Sequence, residues 1–129
     1  MNTLEKEWLE NFIRFWAAPQ SRFELLRSLF AENIKLIAPG TPTVRGLRCA
    51  LMLFEKTFQE MPDLHATIHR YAFRDDILFI EMTFKATIAG ESFAWDNIDR
   101  FLLANGKALE RKAFFDPTEL QRRFSNHSK

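Results

Sequence analysis

The chain has 129 residues, 47% hydrophobic and 14% aromatic, which is enough for a single domain over residues 1–129 with its own core. Its 18 lysines and arginines balance 17 aspartates and glutamates, and a net charge of +1 without a basic block argues against a nucleic-acid partner. No apolar run approaches the ~20 residues of a membrane span, and the N-terminus is charged where a signal peptide is apolar. We therefore expect a cytoplasmic protein with no membrane partner.

The first thirty residues predict two helices. Thr3 can cap the first helix, whose apolar residues recur at helical spacing until Pro19 ends it. Ser21 and Glu24 have the spacing of a capping box for the second helix. Because few residues separate the two helices, they are expected to form a helical hairpin.

A strand, a turn-rich loop and a third helix follow. The strand is predicted over residues 33–38, and the helix runs from about Leu47 to Glu60, where Pro62 stops it. The single cysteine, Cys49, cannot form an internal disulfide. Since it lies among apolar residues of this helix, we expect a buried, inert thiol and not a nucleophile.

The rest of the chain reads mainly as strand. Four strands are predicted over residues 64–73, 77–88, 91–103 and 108–115, and short turns make neighbouring strands antiparallel. Asp116 can cap a short C-terminal helix through about Phe124, followed by a frayed tail over residues 125–129. The predicted fold class is α+β, with a strongly curved mixed or antiparallel sheet wrapped by three helices into a cone.

One strand carries polar residues where a core strand should be apolar. Trp95, Asn97, Asp99 and Phe101 share one face, because side chains alternate along a strand. An amide and a carboxylate are costly to bury without partners. This face therefore indicates where a functional site lies.

Three stretches carry a family resemblance: VRG after the first strand, PDLHATIHRYA, and WDNIDRFLLANGKALERKAFFDP at the hairpin. With the order of elements, they resemble the nuclear transport factor 2-like superfamily, and more narrowly its SnoaL-like domains. Those domains are relatives of polyketide cyclases, ketosteroid isomerases and limonene-epoxide hydrolases. The superfamily carries unrelated chemistries in one cone-shaped pocket, so activity has to be argued from the pocket residues.

The resemblance implies which side chains line that pocket, and the alternation within each strand gives the same phase. They are Leu36 and Ala38, then His65, Thr67 and His69, then Ile80, Met82 and Phe84, then Trp95, Asn97 and Asp99, and finally Arg111, Ala113 and Phe115.

The resemblance also disfavours two mechanisms. Epoxide hydrolases of this superfamily hold a water with five polar groups, and the matching positions here are all apolar: Met82, Ala113, Ile80, Leu36 and Ala38. Ketosteroid isomerases use a carboxylate base on the first strand and an aspartic acid and a tyrosine toward the enolate. Here Ala38 occupies the base position, and only Asp99 survives of the enolate-binding pair.

The candidate catalytic residues are Asp99, Asn97 and His69. Asp99 is either an acid that stabilises developing charge or a carboxylate paired with Arg111. Asn97 can orient a carbonyl or a water, or it can satisfy a neighbouring strand. An imidazole such as His69 can transfer protons near neutral pH. Predicted substrate-binding residues are Trp95, His65, Met82, Phe84, Ile80, Arg111, Phe115 and Ala38; no metal site and no cofactor are predicted.

These residues predict a pocket for a small, partly apolar carbonyl or hydroxyl compound. If the protein is an enzyme, we expect a cofactor-free isomerase, cyclase or dehydratase that works by acid–base chemistry. The alternatives are a non-catalytic ligand-binding or dimerisation module and a pocket packed shut by its rings. Asp96, Ile98, Arg100 and Phe114 share the opposite face of the sheet, which predicts a homodimer through that outer face.

Overall fold

The structure is a computed structural model that describes residues 1–128, and the side chains of residues 1–125. Residues 1–128 contain four α-helices, α1 (Thr3–Ala17), α2 (Leu25–Leu29), α3 (Leu47–Glu60) and α4 (Thr118–Ser128). The six strands are β1 (Phe30–Ile37), β2 (Val44–Arg45), β3 (His65–Arg74), β4 (Ile77–Ile88), β5 (Glu91–Ala104) and β6 (Lys107–Phe114). None of these helices is both long enough and apolar enough to cross a membrane.

The strands form one mixed sheet in the order β2-β1-β6-β5-β4-β3. Only β1 and β6 pair in parallel; the other neighbours are antiparallel, as their short connections require. Ala89 and Asn105 adopt positive φ before Gly90 and Gly106, which closes the last two hairpins tightly. The predicted α+β fold with a mixed sheet is confirmed.

The core lies between the helices and one face of the sheet, which we call the inner face. Trp8 and Phe12 of α1 pack edge-on against Phe101 of β5, with ring centroids 4.7 and 5.2 Å apart. The indole Nε1 of Trp8 donates to the carbonyl oxygen of Leu29 at 2.8 Å, so the buried indole N–H is satisfied. Aromatic packing thus fills the interior beneath α1.

The helix starts near the N-terminus differ from the prediction. Asn2, not Thr3, caps α1 and forms a capping box with Glu5. Ser21 caps nothing: its hydroxyl donates to the carbonyl of Ala18, within a 3₁₀ turn over Pro19–Arg22. Residue 30, predicted as helical, already begins β1.

Two further predictions are wrong. Cys49 is exposed, because the buried residues of α3 are Leu47, Ala50, Leu51, Phe54 and Phe58, and position 49 falls on the opposite side of that stripe. The tail is not frayed from residue 125, since α4 continues through Ser128; the predicted fraying of Lys129 lies outside the described residues.

Candidate functional site

A polar cluster occupies the middle of the inner face. Asp99 pairs with Ile80 on one side and Ala113 on the other, both buried, so the sheet register directs its carboxylate into the interior. Asn97 lies two residues earlier on the same face, and its Nδ2 donates to Asp99 Oδ1 at 2.9 Å. Arg111 of β6 donates from Nε to the same oxygen at 3.1 Å. We call these three residues the Asp99 cluster.

The cluster leaves two acceptors unused. Asp99 and Asn97 are 1% and 3% exposed, yet Asp99 Oδ2 and Asn97 Oδ1 have no hydrogen-bond partner among the described residues. Buried oxygens of this kind normally accept a hydrogen bond from protein or water. The cluster therefore has capacity for a proton, a water or a ligand group.

A cavity of about 310 Å³ opens between the inner face, α3 and α4. Its walls are mostly apolar and aromatic, with Arg111 among them. The lining comprises Trp16, Ala38, Thr41, Leu53, Phe54, Lys56, Thr57, Glu60, Met61, Leu64, Phe84, Trp95, Arg111, Phe115, Leu120 and Phe124. Apolar walls with few polar groups are typical of sites for small organic ligands.

Arg111 is the deep charged group of this cavity. Its side chain is 14% exposed, whereas Lys56 and Glu60, at the rim, are 71% and 49% exposed. Within the described part of the chain, Arg111 donates a hydrogen bond from Nε and none from its terminal nitrogens. Since a guanidinium has five N–H donors, Arg111 can hold Asp99 through Nε and still present donors to a ligand.

Aromatic rings shape the walls. Phe84 and Trp95 stack across β4 and β5 with centroids 5.4 Å apart, and Phe93 stacks on the other side of Trp95 at 5.6 Å. Deeper in the core, between the helices and Arg111, a second cavity has a volume of about 10 Å³, roughly the room for one water. The rings therefore fill the deep interior but leave the outer part of the pocket open.

Five of the predicted substrate-binding residues line the cavity, namely Ala38, Phe84, Trp95, Arg111 and Phe115. Ile80 and Met82 lie on the same inner face but are fully buried and do not reach the cavity wall. Asp99 and Asn97 lie behind Arg111, so a ligand in this cavity meets the guanidinium first.

The predicted placement of His65, Thr67 and His69 on the pocket side is wrong. In β3 the inward residues are Ala66 and Ile68, which pair with Phe84 and Met82. His65 and Thr67 therefore face outward, and the register shift after Ile68 leaves His69 exposed on the outer face. The apolar alternation of Leu64, Ala66 and Ile68 indicates the correct inward face of β3.

On that outer face the histidines have other partners. His69 Nε2 lies 2.7 Å from Thr83 Oγ1, and Thr83 donates in turn to Asp96 Oδ1 at 2.8 Å. His65 Nδ1 lies 3.0 Å from the carbonyl oxygen of Asp63. Neither imidazole can exchange a proton with a ligand beside Arg111, because the sheet separates them.

Sequence reasoning missed the helical walls of the cavity. Thr57 and Met61 come from the end of α3, and Leu120 and Phe124 come from α4. The i, i+4 spacing of Leu120 and Phe124 indicates an apolar stripe on the terminal helix, which was the available signal. No group of three or more His, Cys, Asp or Glu side chains suited to a metal occurs in the described residues.

The fold and this site define a class of protein with a cavity between a mixed sheet and its helices. The family model of the SnoaL-like domain matches residues 9–111, and the chain belongs to that family. The resemblance inferred from the sequence is thereby confirmed. No protein of curated function matches the sequence.

Solved structures share the fold at low identity. A candidate SnoaL-like polyketide cyclase from Jannaschia sp. CCS1 has 17% identity and a TM-score of 0.79, covering 97% of this chain and 96% of its own. A nuclear transport factor 2-like protein of unknown function from Burkholderia pseudomallei has 12% identity and a TM-score of 0.83, with 94% and 97% covered. An LEH-like epoxide hydrolase from M. tuberculosis has 15% identity and a TM-score of 0.77, with 97% and 92% covered. This chain thus shares its fold with these proteins.

Proposed function

We propose that this protein binds a small, partly apolar molecule bearing a carbonyl or hydroxyl oxygen in the cavity beside Arg111. The observation that carries the proposal is the double position of Arg111, which is anchored to buried Asp99 through Nε and also forms part of the cavity wall. Its remaining N–H groups can donate to the ligand oxygen, while Phe84 and Trp95 contact the apolar part.

Anchoring matters because it fixes the donor before the ligand arrives. A free arginine side chain loses about 2 kcal/mol of rotamer entropy when it is ordered. In this protein Asp99, itself held by Asn97, already restrains the guanidinium. The ligand therefore meets a preorganised donor, which favours affinity.

A pair of alanine-to-phenylalanine variants tests where the ligand binds. Ala38 lines the cavity, so A38F should fill part of it and weaken binding of an apolar ketone such as 2-acetylnaphthalene by about tenfold or more, a loss of about 1.4 kcal/mol. Ala94 is exposed outside the cavity, so A94F is the matched control and should bind like the unmodified protein. NMR titration of the amide resonances measures both. Unaltered binding by A38F would contradict the site.

Cofactor-free isomerisation, cyclisation or dehydration is the second candidate function. It draws support from the unpartnered Asp99 Oδ2, a buried oxygen on which a proton can reside, and from Asn97, which orients the same carboxyl. In such a reaction Arg111 would stabilise the developing oxyanion. Such a reaction also needs a base, and the described residues of the site do not supply one. By the resemblance, Ala38 occupies the position of the carboxylate base of ketosteroid isomerases, and His69 lies on the outer face.

Turnover separates catalysis from binding alone. With a substrate in hand, D99N should abolish turnover while a neutral ligand still binds, and H69A should leave turnover unchanged because His69 is outside the cavity. Full turnover by D99N would count against the catalytic function and leave the binding function standing. Epoxide hydrolysis is not proposed, since positions 36, 38, 80, 82 and 113 are apolar.

We also propose a homodimer through the outer face of the sheet. Ile98 and Phe114 are exposed neighbours there, and Arg100 and Lys112 lie over the Phe114 ring at 5.9 and 5.2 Å. Acidic Glu81 and Asp96 occupy the same face beside them, so a two-fold axis can set acidic groups against basic ones.

Oligomeric state tests this interface. I98E places a charge in the centre of the outer face and should yield a monomer in analytical ultracentrifugation, whereas M52E alters an exposed methionine of α3 and should keep the dimer. A monomeric unmodified protein would refute the proposal. Cytoplasmic location remains a prediction from the sequence.

A further inference from the structure

The charges around the cavity are already balanced before any ligand enters. Arg111 is paired with Asp99 at 3.1 Å, and at the rim Lys56 Nζ lies 3.9 Å from Glu60 Oε1. Lys56, Glu60 and Arg111 are the ionisable residues of the cavity wall. The carboxylate of Asp99 lies behind Arg111. The pocket is therefore lined by ion pairs without net charge, by Thr41 and Thr57, and by apolar surface.

This balance has a consequence for ligands that carry a charge. A carboxylate that leaves water for an apolar cavity loses hydration worth several kcal/mol, and only an opposite charge can offset that loss. Arg111 supplies such a charge, but Asp99 sits on the same guanidinium and repels a second carboxylate. A neutral carbonyl loses far less hydration and can still accept a hydrogen bond from Arg111.

We propose that Asp99 sets the charge class of the ligand, so that the cavity selects a neutral carbonyl or hydroxyl compound over a carboxylate of the same shape. This inference rests on the proposed binding function and names the chemistry that the site accepts. Asp99 acts through Arg111: it is a positioning and specificity-determining residue that holds the guanidinium and cancels its charge. Its burial, at 1% exposed, keeps water from screening that effect.

A matched pair of probes tests the selection. 2-Acetylnaphthalene and 2-naphthoate share a ring system and differ in the charge on the oxygen-bearing group. At about pH 7.5 the unmodified protein should bind the ketone at least about tenfold more tightly than the carboxylate in NMR titrations. Equal or tighter binding of 2-naphthoate would overturn the inference.

The D99N variant should remove this preference. It retains a side chain of the same shape and removes the compensating charge, so Arg111 becomes an unpaired cation at the cavity wall. The ratio of 2-naphthoate affinity to ketone affinity should rise by about tenfold or more. The double variant D99N/R111Q removes both charges, so its affinity for 2-naphthoate should fall below that of D99N. An unchanged ratio of the two affinities in D99N would overturn the inference.

Proton linkage supplies a measurement that needs no variant. Lowering the pH from about 7 to about 4 converts roughly half of the naphthoate to its neutral acid. A tenfold preference for the neutral form should then raise its apparent affinity about fivefold, while ketone affinity stays level. A level profile for the carboxylate would refute the inference even if D99N failed to fold. Binding of neither probe would instead refute the proposed binding function itself, which distinguishes the two failures.

Discussion

Arg111 Nε and Asp99 Oδ1 lie 3.1 Å apart, and this single bond connects the buried interior to the open cavity. The carboxylate is on β5 and the guanidinium on β6, so the register of two adjacent strands fixes the distance between them. Asn97 adds a second hydrogen bond to the same oxygen, which restrains the carboxylate from the other side. The main polar group of the pocket is therefore part of the sheet framework and not of a loop.

Removal of Arg111 should destabilise the protein strongly. R111M keeps a long side chain in place but leaves the Asp99 carboxylate buried without its counter-charge, which typically costs about 3–5 kcal/mol. We expect about 3 kcal/mol, the low end of that range, because the arginine side chain retains 14% exposure. Urea unfolding measures the loss.

The double variant D99N/R111M is the control for this loss. It removes both charges, so at least half of the stability lost in R111M should return. If the double variant were as unstable as R111M, packing of the arginine stem and not the unpaired carboxylate would explain the effect.

The sequence predicted the strands of this site better than its helical walls. Strict alternation put Trp95, Asn97 and Asp99 on one face, and tight turns fixed the register of β4, β5 and β6. The resemblance and the period-2 alternation both assigned His65, Thr67 and His69 to the inner face of β3, but the apolar Ala66 and Ile68 occupy that face. The irregularity after Ile68 is not encoded by a glycine or proline. The wall built by α3 and α4 depends on contacts between distant segments, which local patterns do not contain.

Arg123 should govern how firmly α4 closes the cavity. Its guanidinium lies 4.3 Å from the Phe93 ring centroid and its Nη1 lies 3.4 Å from Glu91, so it ties α4 to β5. R123Q should weaken this attachment by about 1 kcal/mol, which raises amide exchange in α4 about fivefold. Ligand affinity should fall as well, because Leu120 and Phe124 form part of the wall.

Arg122 is the matched control for Arg123. Both arginines pair with Glu119 within α4 and both attract Glu91 of β5 electrostatically, but Arg123 approaches Glu91 to 3.4 Å and also contacts the Phe93 ring. R122Q should therefore leave ligand affinity unchanged and alter exchange only slightly. Equal effects of the two variants would show that helix propensity, and not the Phe93 contact, is responsible.

Asp63 should make stability depend on pH in the acid range. Its carboxylate accepts hydrogen bonds from Thr87 Oγ1 at 2.6 Å and from the backbone N–H of Thr87 at 2.9 Å, and these bonds lower the pKa of Asp63 below its usual value of 3.8. Because the folded pKa is depressed, the contribution is fully present above about pH 4 and is lost as the pH falls through the lower folded value.

Two variants isolate the Asp63 contribution. D63N should reduce stability at neutral pH by at most about 1 kcal/mol, since the group is exposed, and the difference should shrink below about pH 3. T87V removes only the hydroxyl donor and should give an intermediate loss, because the backbone bond remains. Urea unfolding across this pH range measures both, and a D63N deficit that grew toward low pH would contradict the assignment.

Gly40 should be the glycine whose replacement disturbs α4. Gly40 and Gly90 both have φ +79°, so G40A and G90A each incur about 1 kcal/mol of backbone strain. Gly90 has open space around it, whereas a Cβ at Gly40 would lie 2.5 Å from Nε2 of Gln121 on α4. G40A should therefore be the less stable variant, by under about 1 kcal/mol since the glutamine can turn away. In G40A/Q121A the glutamine side chain is gone, so the loss of stability should equal that of G90A. A larger loss in the double variant would place the conflict in the backbone of the β1–β2 connection.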